Sequence, residues 1–281
     1  MVNEPDIAAE VDGALRPFPA GKLTRLASGS LQVDIAADAG GRIAGISRDG
    51  LEWLVGHDAN PAMIAWGCYP MLPWAGRIRR GRFDFAGRQY QLPGNLEGHA
   101  IHGVGFGLPW QIMDRQAHRI ELSLELPRDE RWPFGGIATH RVELTDDALR
   151  CHLSLQAGEE AMPWPVLGWH PWFVKPDRLE FHPQAFYRRD AEGIAVGPTV
   201  APPPGPWDDC FVNHAPVLLH RGGKRLRLTS DCSHWVVYDQ PDHATCVEPQ
   251  TGPPDAFNLE SATLPPHASI HAWFAMEWCE A

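Results

Sequence analysis

Four short segments of the 281-residue chain pair a side chain capable of proton chemistry with residues that fix the backbone: PMLPWAGRI around Arg77, EGHAIHG around His102, VLGWHPWFV around His170 and CVEPQTGPPDAFN around Glu248. A fifth, PWDDCF, carries Asp208 and Asp209. One carboxylate, two imidazoles and one arginine at long intervals make neither a local metal loop nor a phosphate cradle. They act together only if the fold gathers them at one pocket. The set suits acid–base catalysis, in which a carboxylate ionised at neutral pH works beside an imidazole able to hold or release a proton there. His170 sits in a run with no other ionisable group, where Pro165 and Pro171 are expected to restrain a loop and Trp164, Trp169 and Trp172 to shield the ring. Shielding disfavours the imidazolium and a nearby carboxylate favours it, which would tune the position near neutrality. Glu97, His99 and His102 offer a metal-ligand alternative, at a spacing that matches no familiar signature.

The elements that must position these residues are strands. In RIELSLEL, Ile120, Leu122, Leu124 and Leu126 alternate with Glu121, Ser123 and Glu125, the period of a half-buried strand. Leu149, Cys151, Leu153 and Leu155 repeat it, and the TDDA turn before them predicts a hairpin with His140 to Leu144. Ile270, Ala272, Phe274, Met276 and Trp278 form a third such run. RFDFAGRQYQL and VLLHRGGKRLRL read as hairpins turning at Ala86-Gly87 and Gly222-Gly223. No window sustains a 3.6-residue apolar stripe. An all-β fold follows, built as a large twisted β-sandwich because so many one-sided strands must cover each other's apolar faces. Residues 1–20 read as a loosely ordered arm and 21–281 as a single domain, with Pro202 to Pro206 a stiff connector inside it.

A net charge of −11 repels nucleic acid and anionic lipid but not a neutral polyhydroxylated molecule. The acidic start of the chain resembles no signal peptide, and no apolar run is long enough to span a membrane, so a cytoplasmic protein is expected. The six cysteines are scattered without a CxxC and read as free, mostly buried thiols.

At these residues the sequence resembles the aldose 1-epimerase (galactose mutarotase) family, from about Ser30 to Phe274. The resemblance rests on Tyr69-Pro70-Met71-Leu72-Pro73-Trp74-Ala75-Gly76-Arg77-Ile78, on Ile101-His102-Gly103, on His170-Pro171-Trp172-Phe173, on Asp208 (with Asp209 a close alternative) before Phe211, and on Glu248 before a proline-rich loop. It implies a galactose mutarotase-like supersandwich and interconversion of the α and β anomers of a free aldose such as glucose or galactose. Neither cofactor nor metal is implied, and the only partner is a small monosaccharide, bound by a monomer or homodimer. Opening the cyclic hemiacetal removes a proton from the anomeric hydroxyl while the ring oxygen receives one. Glu248 is then the base and His170 the acid, on opposite sides of the sugar. His102 and Arg77 would steady developing charge, Asp208 or Asp209 would bind hydroxyls, and Trp169, with Trp66, Trp74 and Trp172, would offer an apolar wall. Two departures, Gly76 and Trp169 where asparagines often stand in the family, put galactose specificity in question. A hexose phosphate held by Arg79, Arg80 or Arg82 is the alternative substrate, and a carbohydrate-binding protein without turnover the alternative class.

Overall fold

The computed structural model describes residues 12–279. Two antiparallel sheets carry nearly all of the regular structure. The larger has eleven strands, ten of them in the order Leu23–Ser28, Leu31–Ala36, Arg42–Arg48, Cys68–Met71, Gly168–Val174, Ala244–Gln250, His234–Tyr238, Asp208–Val212, Ala185–Arg189, Ala195–Val200, with Leu51–Glu52 paired to Arg42–Arg48. The smaller has eight, running from Gln111–Arg115 through Ile137–Leu144, Ala148–Gln156 and Ser269–Cys279 to Arg178–Glu180. The three expected hairpins form with the anticipated turns: Ile137–Leu144 with Ala148–Gln156, Arg82–Phe85 with Arg88–Gln91, and Val217–Arg221 with Lys224–Ser230. Pro202 to Pro206 connect two strands of the larger sheet.

Strand alternation sorts each residue to one face. From the larger sheet Trp169, Phe173, Phe211, Trp235, Val237 and Val247 join Leu122, Val142, Leu153, Phe274 and Met276 of the smaller in one buried cluster. This is the sandwich core. The opposite face of the larger sheet carries Tyr69, Met71, Trp172, Ala244 and Cys246, packed against connecting segments that supply Val55, Phe106, Val166 and Ala256. Those segments cover the sheet and leave a hollow over its middle.

Five cysteines are buried and Cys279 is partly so, all with free thiols. Residues 1–11 of the expected arm lie outside the described residues. Residues 12–20 are tied to the body: Ala14 N–H donates to the Asn95 carbonyl, Phe18 N–H to that of Pro61, and the Ala14 and Arg16 carbonyls accept from Ile64 and Met63. No helix among the described residues is long and apolar enough to cross a membrane.

Candidate active site

Glu248 and His170 meet at the centre of the larger sheet. They stand on neighbouring strands whose register pairs Gly168 with Gln250 and Trp172 with Cys246, so His170 falls opposite Glu248. Their side chains reach the same face, with His170 Nε2 3.3 Å from Glu248 Oε1 and both groups almost completely buried. The segment around His170, read as a loop, is the strand Gly168–Val174, and Glu248 and Asp208 also stand on strands, Ala244–Gln250 and Asp208–Val212. His170 and Glu248 also lie side by side rather than on opposite sides of a sugar. That suits ring opening, because the anomeric hydroxyl and the ring oxygen are bonded to the same carbon.

The His170 ring lies between two aromatic rings, Tyr69 at 4.8 Å and Trp172 at 5.4 Å between centroids. Both flanking rings are anchored on one acceptor, since Tyr69 Oη and Trp172 Nε1 donate to the Ile64 carbonyl at 3.1 and 2.7 Å. Tyr69 therefore supplies the shielding expected of Trp164 and Trp169. Trp164 is exposed, and Trp169, one residue from His170 on an extended strand, points to the opposite face. Trp169 is no sugar ligand: its Nε1 donates to His140 Nε2 at 3.2 Å, inside the core. His140 Nδ1 in turn donates to the Gly41 carbonyl, which fixes the tautomer and ties the two sheets together. Trp66 and Trp74 are likewise buried away from the cavity, and of the four proposed wall tryptophans Trp172 alone lines it.

Burial also revises the protonation expected from reference values. It pushes the Glu248 carboxyl well above the ordinary 4.5, with the Asp208 charge adding to the rise. Burial depresses His170 from 6.5 to about 3, assisted by the positive charge of Arg42. Burial therefore favours the uncharged form of each group, a carboxylic acid beside a neutral imidazole. Arg42 is fully buried yet meets no carboxylate among the described residues. It donates to the carbonyls of Ala39, Met63, Trp66 and Phe106 and lies over the Tyr69 and Trp66 rings.

His102 and Arg77 come from a separate two-strand ladder, Arg77–Ile78 with Ala100–Ile101, that caps the face. His102 adopts φ 60° just beyond it, and its ring centroid is 4.9 Å from that of His170. Gly76 N–H donates to His102 Nδ1 at 3.3 Å, so the neutral ring carries its proton on Nε2. Burial, with His170 and Arg77 nearby, holds His102 well below 6.5 and therefore neutral. Glycine at 76 has a steric cause: φ is +66° and an added Cβ would lie 2.6 Å from Pro254 Cβ. Gly76→Ala is expected to cost about 1–3 kcal/mol of stability, the range for overpacking and left-handed strain. It should also release His102, to be read as a lowered Tm and a lowered turnover.

Arg77 pairs with Glu97 at 3.2 Å, and its Nε is buried without a partner among the described residues. Asp208 and Asp209 both line the cavity and share Arg189, at 2.6 and 3.3 Å. Asp208 pairs in register with Tyr238, which itself pairs with Cys246, so it stands on the rung beside the Glu248–His170 pair. The resulting cavity has a volume of about 450 Å³. Gln250 and Arg189 are polar lining residues that the sequence reading passed over. Gln250 sits two residues from Glu248, hence on the same face, and its Nε2 donates to Glu248 Oε2 at 3.4 Å while its Oε1 is buried without a partner among the described residues. That i, i+2 relation was legible in the strand pattern. Nothing in the sequence marks Arg189, which reads as an ordinary surface arginine.

The metal alternative is not assembled as expected. His99 Nδ1 accepts from Arg80 N–H, His102 Nδ1 from Gly76 N–H, and Glu97 pairs with Arg77. Among the described residues the grouping compact enough to hold an ion is His170, Cys246 and Glu248, with donor atoms within 4.8 Å of one another. Burial raises the Cys246 thiol well above 9.0, which opposes formation of the thiolate a metal requires.

Comparison with known proteins places these features in context. Residues 22–277 match the family described as aldose 1-epimerase. The uncharacterized protein YphB of Escherichia coli (strain K12) is 34% identical over 167 residues, a match that spans 57% of this chain and 54% of YphB. The chain thus spans about half the length of that curated relative. A galactose mutarotase-like protein from Clostridium acetobutylicum superposes with a TM-score of 0.81 at 18% identity, over 92% of this chain and 95% of the other. For galactose 1-epimerase from Lactobacillus acidophilus NCFM the TM-score is 0.77 at 16% identity, over 92% and 95%. At such identities the structural likeness speaks for the fold alone.

Proposed function

The chain belongs to the aldose 1-epimerase family, and from that premise we propose that it interconverts the α and β anomers of a free, uncharged aldose by acid–base ring opening and reclosure. The observation that carries this reading is the buried Glu248–His170 contact at 3.3 Å in a cavity that holds His102, Arg77 and Asp208. A binding protein has no need of a carboxyl and an imidazole that share one proton. When sugar hydroxyls donate to Glu248, the carboxylate is stabilised and the proton passes to His170 Nε2. Glu248 then takes the proton of the anomeric hydroxyl as His170 gives its own to the ring oxygen. Rotation of the opened aldehyde and reversal of the same steps yield the other anomer. His102 Nε2–H and the Arg77 Nε–H are donors for the charge that develops on the sugar oxygens. Asp208 serves as the acceptor for a sugar hydroxyl, and Trp172 offers an apolar surface to the ring.

An uncharged substrate is favoured over a hexose phosphate by the charge balance of the cavity. Arg77 and Arg189 are each already paired with carboxylates, and Arg79 and Arg80 with Asp190 and Glu192. Arg79, Arg80 and Arg82 do not line the cavity. The test is polarimetric: freshly dissolved α-glucose, α-galactose and further aldoses should relax faster with the protein than with buffer. Acceleration of none of a broad panel would favour the non-catalytic binding reading. A chelator separates proton transfer from a metal held by His170, Cys246 and Glu248, because such an ion would occupy both the acid and the base. We expect incubation with EDTA to leave the rate unchanged; loss of activity, restored by a divalent cation, would overturn that expectation.

A further inference from the structure

Residues 12–18, expected as part of a loose arm, tie together two segments of the cavity wall. To the first segment, Ile64 N–H and Met63 N–H donate to the carbonyls of Ala14 and Arg16 at 3.1 and 2.9 Å, and Phe18 N–H donates to that of Pro61 at 2.8 Å. To the second, Ala14 N–H donates to the Asn95 carbonyl at 3.0 Å, and Asp12 Oδ2 accepts from Glu97 N–H at 2.8 Å. Ile64 and Ala65 of the first segment line the cavity, as do Leu96 and Glu97 of the second. Leu15, next to the residue bonded to both, lines it as well and is 46% exposed.

The same bonds reach the supports of both histidines. The Ile64 carbonyl accepts from Tyr69 Oη and Trp172 Nε1, whose rings flank His170. Asn95 Oδ1 accepts from Ile101 N–H at 2.8 Å and its Nδ2 donates to the Ile101 carbonyl at 3.3 Å, one residue before His102. Ala14, fully buried, therefore joins the segment that steadies one imidazole to the segment that carries the other. A chain held at so many points is set in place before a ligand arrives, which lowers the cost of ordering it on binding.

We propose that residues 12–18 are a substrate-binding strap and that Leu15 is its sugar-contacting residue, a determinant of which aldoses are accepted. This rests on the mutarotase reading above. The side chains of Leu15, Ile64, Ala65 and Leu96 offer neither donor nor acceptor, whereas Arg77, Arg189, Asp208 and Asp209 elsewhere on the wall supply both. A pyranose has the same division, with C–H groups on its faces and hydroxyls at its edge. C–H groups set against the strap remove the exposed leucine surface from water, which is favourable. A hydroxyl turned toward it gives up hydrogen bonds to water and gains none. The strap thus discriminates by where a sugar carries its hydroxyls. It does so through binding, because Leu15 has no group that moves a proton.

The experiment measures kcat and KM separately, by polarimetry, for the α anomers of glucose, galactose, xylose and 6-deoxygalactose in the wild type, Leu15→Ala and Leu15→Asn. Because Leu15 is exposed, both variants should keep the wild-type Tm within about 2 °C. Leu15→Ala should raise KM for the preferred sugar about five- to tenfold and leave kcat within about twofold, the pattern of a contact made equally in the ground and transition states. Leu15→Asn places a donor and an acceptor in a similar volume and should change the order of kcat/KM among the four sugars. An unchanged KM in Leu15→Ala, a loss confined to kcat, or a Leu15→Asn enzyme that keeps the wild-type order of preference overturns the strap as a substrate element. Failure of the wild type on every aldose would instead sink the mutarotase reading, and the contact with it.

Discussion

Glu248→Gln will lower the mutarotation rate by about 10³-fold, within the range of roughly 10² to 10⁴ that positioned proton transfer contributes, and the variant will unfold at a higher temperature than the wild type at pH 8. Glutamine keeps the shape and the hydrogen-bonding capacity of the carboxyl but can neither accept a proton from the anomeric hydroxyl nor share one with His170. The stability gain follows from linkage. Burial raises the folded-state value of Glu248 well above its unfolded 4.5, so the folded chain holds that proton more tightly than the unfolded chain. The corresponding stabilisation is complete below 4.5 and is lost as pH rises toward the folded value. Glutamine is immune to that loss. The Tm advantage of Glu248→Gln should thus be small at pH 4 and grow by pH 8, at about 2–4 °C per kcal/mol for a protein of this size. A variant that remains fully active, or whose relative Tm falls as the pH rises, would contradict the assignment of Glu248 as a buried base.

His170→Gln is expected to cost about 10²- to 10⁴-fold in kcat/KM for the same reason, and the wild-type pH profile should show why. An ordinary imidazole near 6.5 would impose an acid limb there. Burial between the Tyr69 and Trp172 rings takes His170 to about 3, so the one-proton state of the pair persists far below neutrality. Activity should therefore stay level from pH 7 to pH 5. The stability contribution has the opposite sign to that of Glu248: the folded value is depressed, so it is present above 6.5 and is lost as pH falls through that range toward 3. Circular dichroism at each pH keeps unfolding apart from titration. An inflection at 6.5 in a folded enzyme would show that His170 is solvated, and the proton-sharing pair would have to be abandoned.

Gly76 and Trp169 show how differently two departures from the family pattern resolve. The first lies in the site, where the close approach of Pro254 excludes a side chain and the backbone N–H of the glycine reaches His102 instead. The second leaves the site altogether. Its displacement was implicit in the period of two, since neighbours on an extended strand cannot share a face. Placing the histidine in a loop concealed that constraint. Arg189 is the reverse case: its partners Asp208 and Asp209 lie about twenty positions further along the chain and meet it through sheet register, which no local pattern encodes.

What the sequence by itself determined is what depends on neighbours in the chain. Alternating apolar positions specified the strands and three hairpins, their number required a sandwich, and five ordered motifs selected the residues that chemistry would need. The tertiary structure alone decided which of those residues face one another and in what charge state. Contact between Glu248 and His170 depends on the register of two strands more than seventy residues apart, and their protonation depends on how much water the surrounding rings exclude. Both are properties of the packed sheet, so neither exists until the distant segments have come together.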